Sequence, residues 1–415
     1  MFKTLAMLFV SPIKMHCLTA LRSVRKKCWG LELKVTATAI TITIALVQMG
    51  GLELGECILF DIYIRHRPPT KPNPNIVLVT IDDQDLFDSP DDDLPIAWPL
   101  PDDVVIDVIQ AIAPSQPRVI GLHLYFPQRN DASRQRLKAL IETTENLIGM
   151  EKVVGSQRST PSLFPREQLA ISDMVLDDDA SVRRGLVAIF DQEAKSHLSW
   201  GAQLALEYLA AESITPVRQQ NGDVQLGKSM IHRLTAGDGG YSPQLDTGGF
   251  QILMDYRGGL SAFTSISLRD VRSGNFDPEL FRDKIVAIGP ISPYLKTAYR
   301  TPIISTATNT PIAALGTNNP QDPPHFSSFS KQGLNKPGQT LIEDNGNRLM
   351  SSLLIHINLT SQLLESAQLG DRKLGTLLHR LRRQCAFRPA HGRRGVEPRH
   401  RQRALRNLRQ AHRYR

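Results

Sequence analysis

A stretch without charge, Val35 to Leu52, stands behind seven basic residues and ahead of a long charged region, and it limits where the rest of the chain can fold. Lys3, Lys14, Arg22, Arg25, Lys26, Lys27 and Lys34 precede it against one acid, Glu32, whereas Glu53, Glu56 and Asp61 follow closely. A helix of about 20 residues crosses a bilayer core, and Lys and Arg stay on the cytoplasmic side. The pattern predicts a cytoplasmic basic N-terminus over 1–34 and one transmembrane helix over 35–54. Everything beyond then starts outside, in the periplasm or the exterior. Thr36, Thr38, Thr41 and Thr43 lower the hydropathy, but a threonine hydroxyl bonds back to its own helix backbone and is tolerated in lipid. A cleaved secretory signal has a short charged lead and an apolar run of about 7 to 15 residues, and a buried soluble helix is a further reading. The long basic lead favours an uncleaved anchor in the plasma membrane.

At 415 residues and 41% hydrophobic content, the chain has apolar mass for one large or two medium domains behind that anchor. Its cysteines are Cys17, Cys28, Cys57 and Cys385, so neither a disulfide framework nor zinc spacing is present. The net charge of +8 is uneven: 372–415 holds fourteen Arg, one Lys and one Glu, or +14, and the remainder carries −6. Such a tail can bind nucleic acid or anionic lipid through phosphates. With one span it lies outside the cell, where nucleic acid is scarce, so nucleic acid is not an expected partner. Arg so outnumbers Lys beyond Leu374 that the tail is expected to be the product of a shifted reading frame.

Between these ends the pattern alternates. Ile76–Ile81 is a β-branched apolar run behind the proline-rich Pro68–Pro74, which predicts a buried strand with Asp82 and Asp83 at its carboxyl end. Asp102 is placed to cap a helix carrying Val105, Val108, Ile109 and Ile112 on one face, which Pro114 ends. A second strand is predicted at Val119–Phe126, giving a parallel βαβ unit. Further elements are a helix over Ala132–Thr144, a short strand near Val153, a helix over Trp200–Ala211, strands at Gln251–Tyr256 and Lys284–Gly289, and a last helix near Leu353–Ala367. The polar stretch 305–347 is expected to be a flexible insertion. The fold class is α/β: a mostly parallel sheet domain over 55–371 behind one N-terminal transmembrane helix.

Eight segments, in order, resemble the CHASE type-2 extracellular sensory domain family, the input module of bacterial transmembrane receptors. They are Ile76–Asp83, Trp98-Pro99, Val119–Phe126, Asp179–Gly185, Asp270–Gly274, Phe281–Gly289, Thr301-Pro302 and Ile355–Asn358. The resemblance covers about Gly50 to about Ala367. It implies an extracytoplasmic ligand-sensing domain with no catalytic activity of its own, coupled in relatives to a cytoplasmic output. A small-molecule ligand and either a homodimer or a partner signalling protein are the implied partners. The chain departs from the family where His123 replaces an aspartate of the second core strand, and where Ala298 or a neighbour replaces another before the Thr-Pro step.

Candidate ligand-binding residues follow from chemistry and place. Asp82 and Asp83 sit beyond the carboxyl end of a parallel strand, where open sheets bind ligands. Trp98 offers an aromatic face with a donor at its edge, although loop packing is the commoner role. Arg183 and Arg184 carry forked donors that fit an anion, although such a pair is more often a surface turn. His123 alternates with Leu122 and Leu124 and so points to the opposite face, where packing is its default. Ten aspartates lie between Asp82 and Asp107, but without the alternation of a calcium loop they suit helix caps and turns better than a metal site. No catalytic motif is found, and no metal or cofactor is expected. The leading alternative is a membrane-anchored, Asp-dependent metal hydrolase or transferase. Translating the coding DNA in the other two frames beyond codon 374 is expected to reveal several long apolar segments, and their absence would refute the frame change.

Overall fold

The computed structural model describes residues 34–43, 53–87, 98–153, 163–190, 195–292, 295, 298–303 and 349–370. The basic N-terminus up to residue 33, residues 44–52 of the predicted span, the insertion 305–347 and the tail 372–415 lie outside the described residues.

In chain order the elements begin with α1 (Glu53–Arg65), β1 (Ile76–Ile81), α2 (Asp83–Phe87), α3 (Asp102–Ile112), β2 (Val119–Leu122), α4 (Ala132–Thr143), β3 (Leu147–Glu151) and β4 (Leu169–Ile171). There follow β5 (Arg184–Phe190), β6 (Ser196–Leu198), α5 (Trp200–Ala210), β7 (Pro216–Arg218), β8 (Val224–Leu226), β9 (Ser229–Ile231) and β10 (Phe250–Leu253). The last are β11 (Thr264–Ser267), α6 (Leu268–Arg272), β12 (Ile285–Pro290), β13 (Ala298–Arg300), β14 (Leu349–Ser351) and α7 (Ser352–Leu369).

Six strands form one parallel sheet in the order β11-β1-β12-β2-β3-β4. Every residue of β1, β12 and β2 is buried, because side chains alternate across a strand and both faces are covered. Ile76, Leu78, Val119, Ile285 and Ala287 enter one core with α5 and α7. Val77, Val79, Ile81, Ile120, Val286 and Ile288 enter a second core with α3, α4 and α6. The helix around Val105 and Ile109 thus buries its apolar face as its periodicity predicts.

The expected β1–α3–β2 unit is parallel, but its strands are not neighbours: β12 lies between them, pairing Ala287 with Leu78 on one side and with Gly121 on the other. The second strand ends at Leu122 rather than Phe126, the next lies at Leu147–Glu151 rather than near Val153, and β10 is antiparallel to β5 instead of joining the parallel sheet. Asp102 is not a cap. Pro101 holds that position, and the Asp102 carboxylate instead takes a bidentate pair from Arg134 Nε and Nη2 at 2.6 and 2.9 Å. Small antiparallel sheets, β10-β5-β6, β7-β8-β9 and β13-β14, complete the mixed α/β architecture.

Residues 34–43 are helical, with Val35, Ile40 and Ile42 exposed. Thr41 and Thr43 donate their hydroxyls to the carbonyls of Ala37 and Ala39 at 2.8 and 2.9 Å. Among the described residues no helix is long and apolar enough to cross a membrane.

Two glycines set how closely α5 approaches its neighbours. A Cβ on Gly121 would lie 2.6 Å from the Trp200 indole, and one on Gly201 would lie 2.4 Å from the backbone oxygen of His356. Gly201→Ala is therefore expected to cost about 1–3 kcal/mol by overpacking. Gly55→Ala, on a helix with open space around it, should be neutral or slightly stabilising. Urea unfolding followed by circular dichroism checks both.

Candidate functional site

The carboxyl ends of β1, β2, β11 and β12 lie together at one edge of the parallel sheet. β1 leads into Asp82, whose Oδ1 accepts from the backbone N–H groups of Gln84 and Asp85 at 2.9 and 3.1 Å, while Asp85 Oδ2 accepts from Asp82 N–H at 2.9 Å. Arg269 of α6 donates Nη1 to Asp82 at 2.8 Å and to Asp85 at 3.1 Å. Burial works to raise the Asp82 carboxyl, but Arg269 and the N–H donors outweigh it and hold it below its ordinary value. Asp85 is pushed up to about 6, by its own burial first and by the adjoining Asp82 charge. Asp83 differs: its Oδ1 is buried without a hydrogen-bond partner among the described residues. Among those residues no three His, Cys, Asp or Glu side chains are grouped to hold a metal.

Trp98, joined to Pro99 by a cis peptide, is half-buried and packs on the core that contains α3. His123 faces the other core. It continues β2 by donating its N–H to Ile288 O at 2.8 Å, and its ring stands edge-on to Trp200 with centroids 5.0 Å apart. His356, from the second turn of α7, is 5.4 Å from His123 and 5.9 Å from Trp200. Both ring nitrogens of His123 and Nε2 of His356 are buried without a partner among the described residues. Burial lowers both imidazoles, His356 to about 4 and His123, with the His356 charge adding to the effect, well below its ordinary value. Both rings are neutral at pH 7.

Arg183 and Arg184 are at a third place, in and just before β5, with their donors engaged inside the protein. Arg183 Nε and Nη2 grip Asp61 at 2.7 and 2.9 Å, Nη1 reaches Asp177 at 3.0 Å, and Asp179 takes both Nη1 and Nη2 at 2.9 and 2.7 Å. Arg184 donates to Asp177 at 2.7 Å, to Gln251 at 2.9 Å and to the carbonyls of Leu176 and Asp246. Tyr241 donates its hydroxyl to Asp177 at 2.9 Å. Burial opposes the Arg183 charge, but its carboxylate partners hold its pKa above the ordinary value. Asp61 belongs to α1, the first element described after the predicted span, so this network ties that helix to β5. Arg67, just past α1, adds a pairing with Asp255 and the Tyr256 carbonyl. The Cys57 thiol on α1 is pushed up to about 12 by burial, which removes it as a nucleophile.

The six candidates thus occupy three places: Asp82 and Asp83 at the end of β1 with Trp98 on the same-side core, His123 beneath α5 and α7, and the arginines against α1. Asp61, Asp177, His356 and Tyr241 join these places without having been singled out from the sequence. The family model of the CHASE2 domain matches residues 37–383. The chain belongs to the CHASE2 domain family. CHASE2 is a sensory domain family rather than a catalytic one. No curated protein and no solved structure matches the chain. The CHASE2 match spans α1 through α7, so it takes in all three clusters.

Removing one partner of a buried ion pair leaves an uncompensated charge. Arg183→Met, which strands Asp61 beside Asp177 and Asp179, is expected to lower stability by about 3–5 kcal/mol, whereas the double variant Arg183→Met with Asp61→Ala should recover part of that loss. Urea unfolding of the parent protein, both single variants and the double variant gives the coupling.

Proposed function

We propose that this chain is a membrane-anchored, extracytoplasmic sensory domain that passes ligand binding to the membrane through α1. Membership of a sensory family supports the general role. The observation that carries the anchored reading is the buried Asp61–Arg183 pair, which fixes α1 to β5 a short distance beyond the predicted span. Apolar residues are exposed at Val35, Ile40 and Ile42 and again at Ile58, Leu59 and Ile62, and the hydroxyls of Thr41 and Thr43 close on their own helix, as a lipid-facing segment requires.

A ligand acts in such a domain by binding one conformation more tightly, with Asp82, Asp83, Trp98, His123, Arg183 and Arg184 as the residues to test. A shift of β5, or of the loop whose Asp177 and Asp179 hold Arg183, moves the guanidinium that grips Asp61 and therefore α1. Output is supplied through a second copy or a partner signalling protein.

Reporter fusions at position 330 test the topology. An enzyme active only outside the cytoplasm should work there and one active only in the cytoplasm should be silent. The reverse result overturns the anchored reading.

A further inference from the structure

We infer that the ligand of this domain is the proton, taken up by the buried pair His123 and His356. The inference rests on the sensory reading above. Each ring is almost wholly buried, their centroids are 5.4 Å apart, and three of their four nitrogens have no partner among the described residues. Buried polar atoms are normally hydrogen-bonded, and an apolar pair of the same shape would fill this space without that penalty. Two imidazoles held this way are stable while neutral and poorly placed once charged.

Among the described residues no counter-charge faces the two rings. β12 presents Gly289 to His123, α5 presents Trp200 and Gly201, β3 presents Ile148, whose carbonyl takes the Trp200 indole N–H at 3.4 Å, and the Ser172 backbone beyond β4 bonds to the His356 ring. Asp173, next along, takes the Val153 N–H at 2.8 Å. Among the described residues no carboxylate or cation acts on either ring, and the charge that His123 feels is that of His356.

Packing determines how the strain of protonation is relieved. Gly201 and the His356 carbonyl meet so closely that no Cβ fits between them, and Thr360 donates its hydroxyl to Gly201 O at 2.8 Å. A charge at this seam is relieved by α7 parting from α5 and admitting water to the rings. Protons therefore bind the parted form more tightly, which is the differential affinity a ligand needs. The closed-state values are depressed below that of an exposed imidazole, so protons favour the parted form increasingly as pH falls below the ordinary value of about 6.5. The shift is up to tenfold per pH unit for each ring and levels off beneath the closed-state value, about 4 for His356.

The test uses the full chain in lipid vesicles. Deuterium exchange at the ring C2 position of each histidine, read by mass spectrometry, gives individual titrations in the unaltered protein. In a Trp29→Phe, Trp98→Phe background the fluorescence of Trp200 reports the seam from pH 7.5 to 4. The expected result is retarded C2 exchange at His123 and His356 at neutral pH and a reversible acid transition of Trp200. That transition should be lost in the His123→Gln, His356→Gln variant and retained in Asp85→Asn. Rings that exchange like free histidine at neutral pH, no fluorescence transition, or a transition abolished by Asp85→Asn would each overturn the inference. Should the reporters place the domain in the cytoplasm while the acid transition persists, the extracytoplasmic reading fails and the histidine chemistry stands. Should the topology hold without a transition, the proton assignment alone fails.

Discussion

Burial of β1, β12 and β2 on both faces governs the architecture. A parallel strand with no solvent side must be apolar at nearly every position, with the one hydroxyl of β1, on Thr80, given to the Ile266 carbonyl, and its sheet must be covered by helices above and below. In this chain α5 and α7 cover one face and α3, α4 and α6 the other. With the strand interiors closed to polar groups, chemistry collects where the strands stop: Asp82 follows Ile81, and His123 follows Leu122. The two residues experience opposite environments. Asp82 gains Arg269 and two N–H donors, whereas the His123 ring gains aromatic neighbours and, among the described residues, no hydrogen bond.

The second organising feature is charge in a buried place. Arg183 and Arg184 meet Asp61, Asp177 and Asp179, two cations against three carboxylates, with Tyr241 and Gln251 satisfying what remains. Buried networks of this sort add little net stability over an apolar replacement, because desolvation offsets the attraction. What they provide is register: α1 can dock against β5 only where Asp61 meets the Arg183 guanidinium. Helical docking by shape alone tolerates sliding. A bidentate carboxylate–guanidinium pair does not.

Much of the frame was legible because it rests on periodicity. Val105, Val108, Ile109 and Ile112 define a helix face, and Ile76–Ile81 a doubly buried strand, whatever the rest of the chain does. Strand order was not legible: nothing local distinguishes Ile285–Pro290 as the strand that separates β1 from β2. Three-residue strands such as β6, β8 and β13 carry too short a pattern to register. At the candidate sites residue types were readable but their partners were not. Asp61 shares a helix face with Cys57 and Ile64, and an acid on a face that is otherwise apolar is the sign of a buried ion pair. His356 lay inside the segment Ile355–Asn358, but its pairing with His123 joins positions more than 200 residues apart and needed the fold.

The central place of β12 also orders events in time. A ribosome releases β1 and β2 long before residues 285–290, and those two strands cannot pair with each other at the spacing the finished sheet requires. Their apolar edges stay unsatisfied until the late strand arrives between them, a contact of high sequence separation that is slow to form. The central part of the sheet therefore cannot close until residues 285–290 have been made.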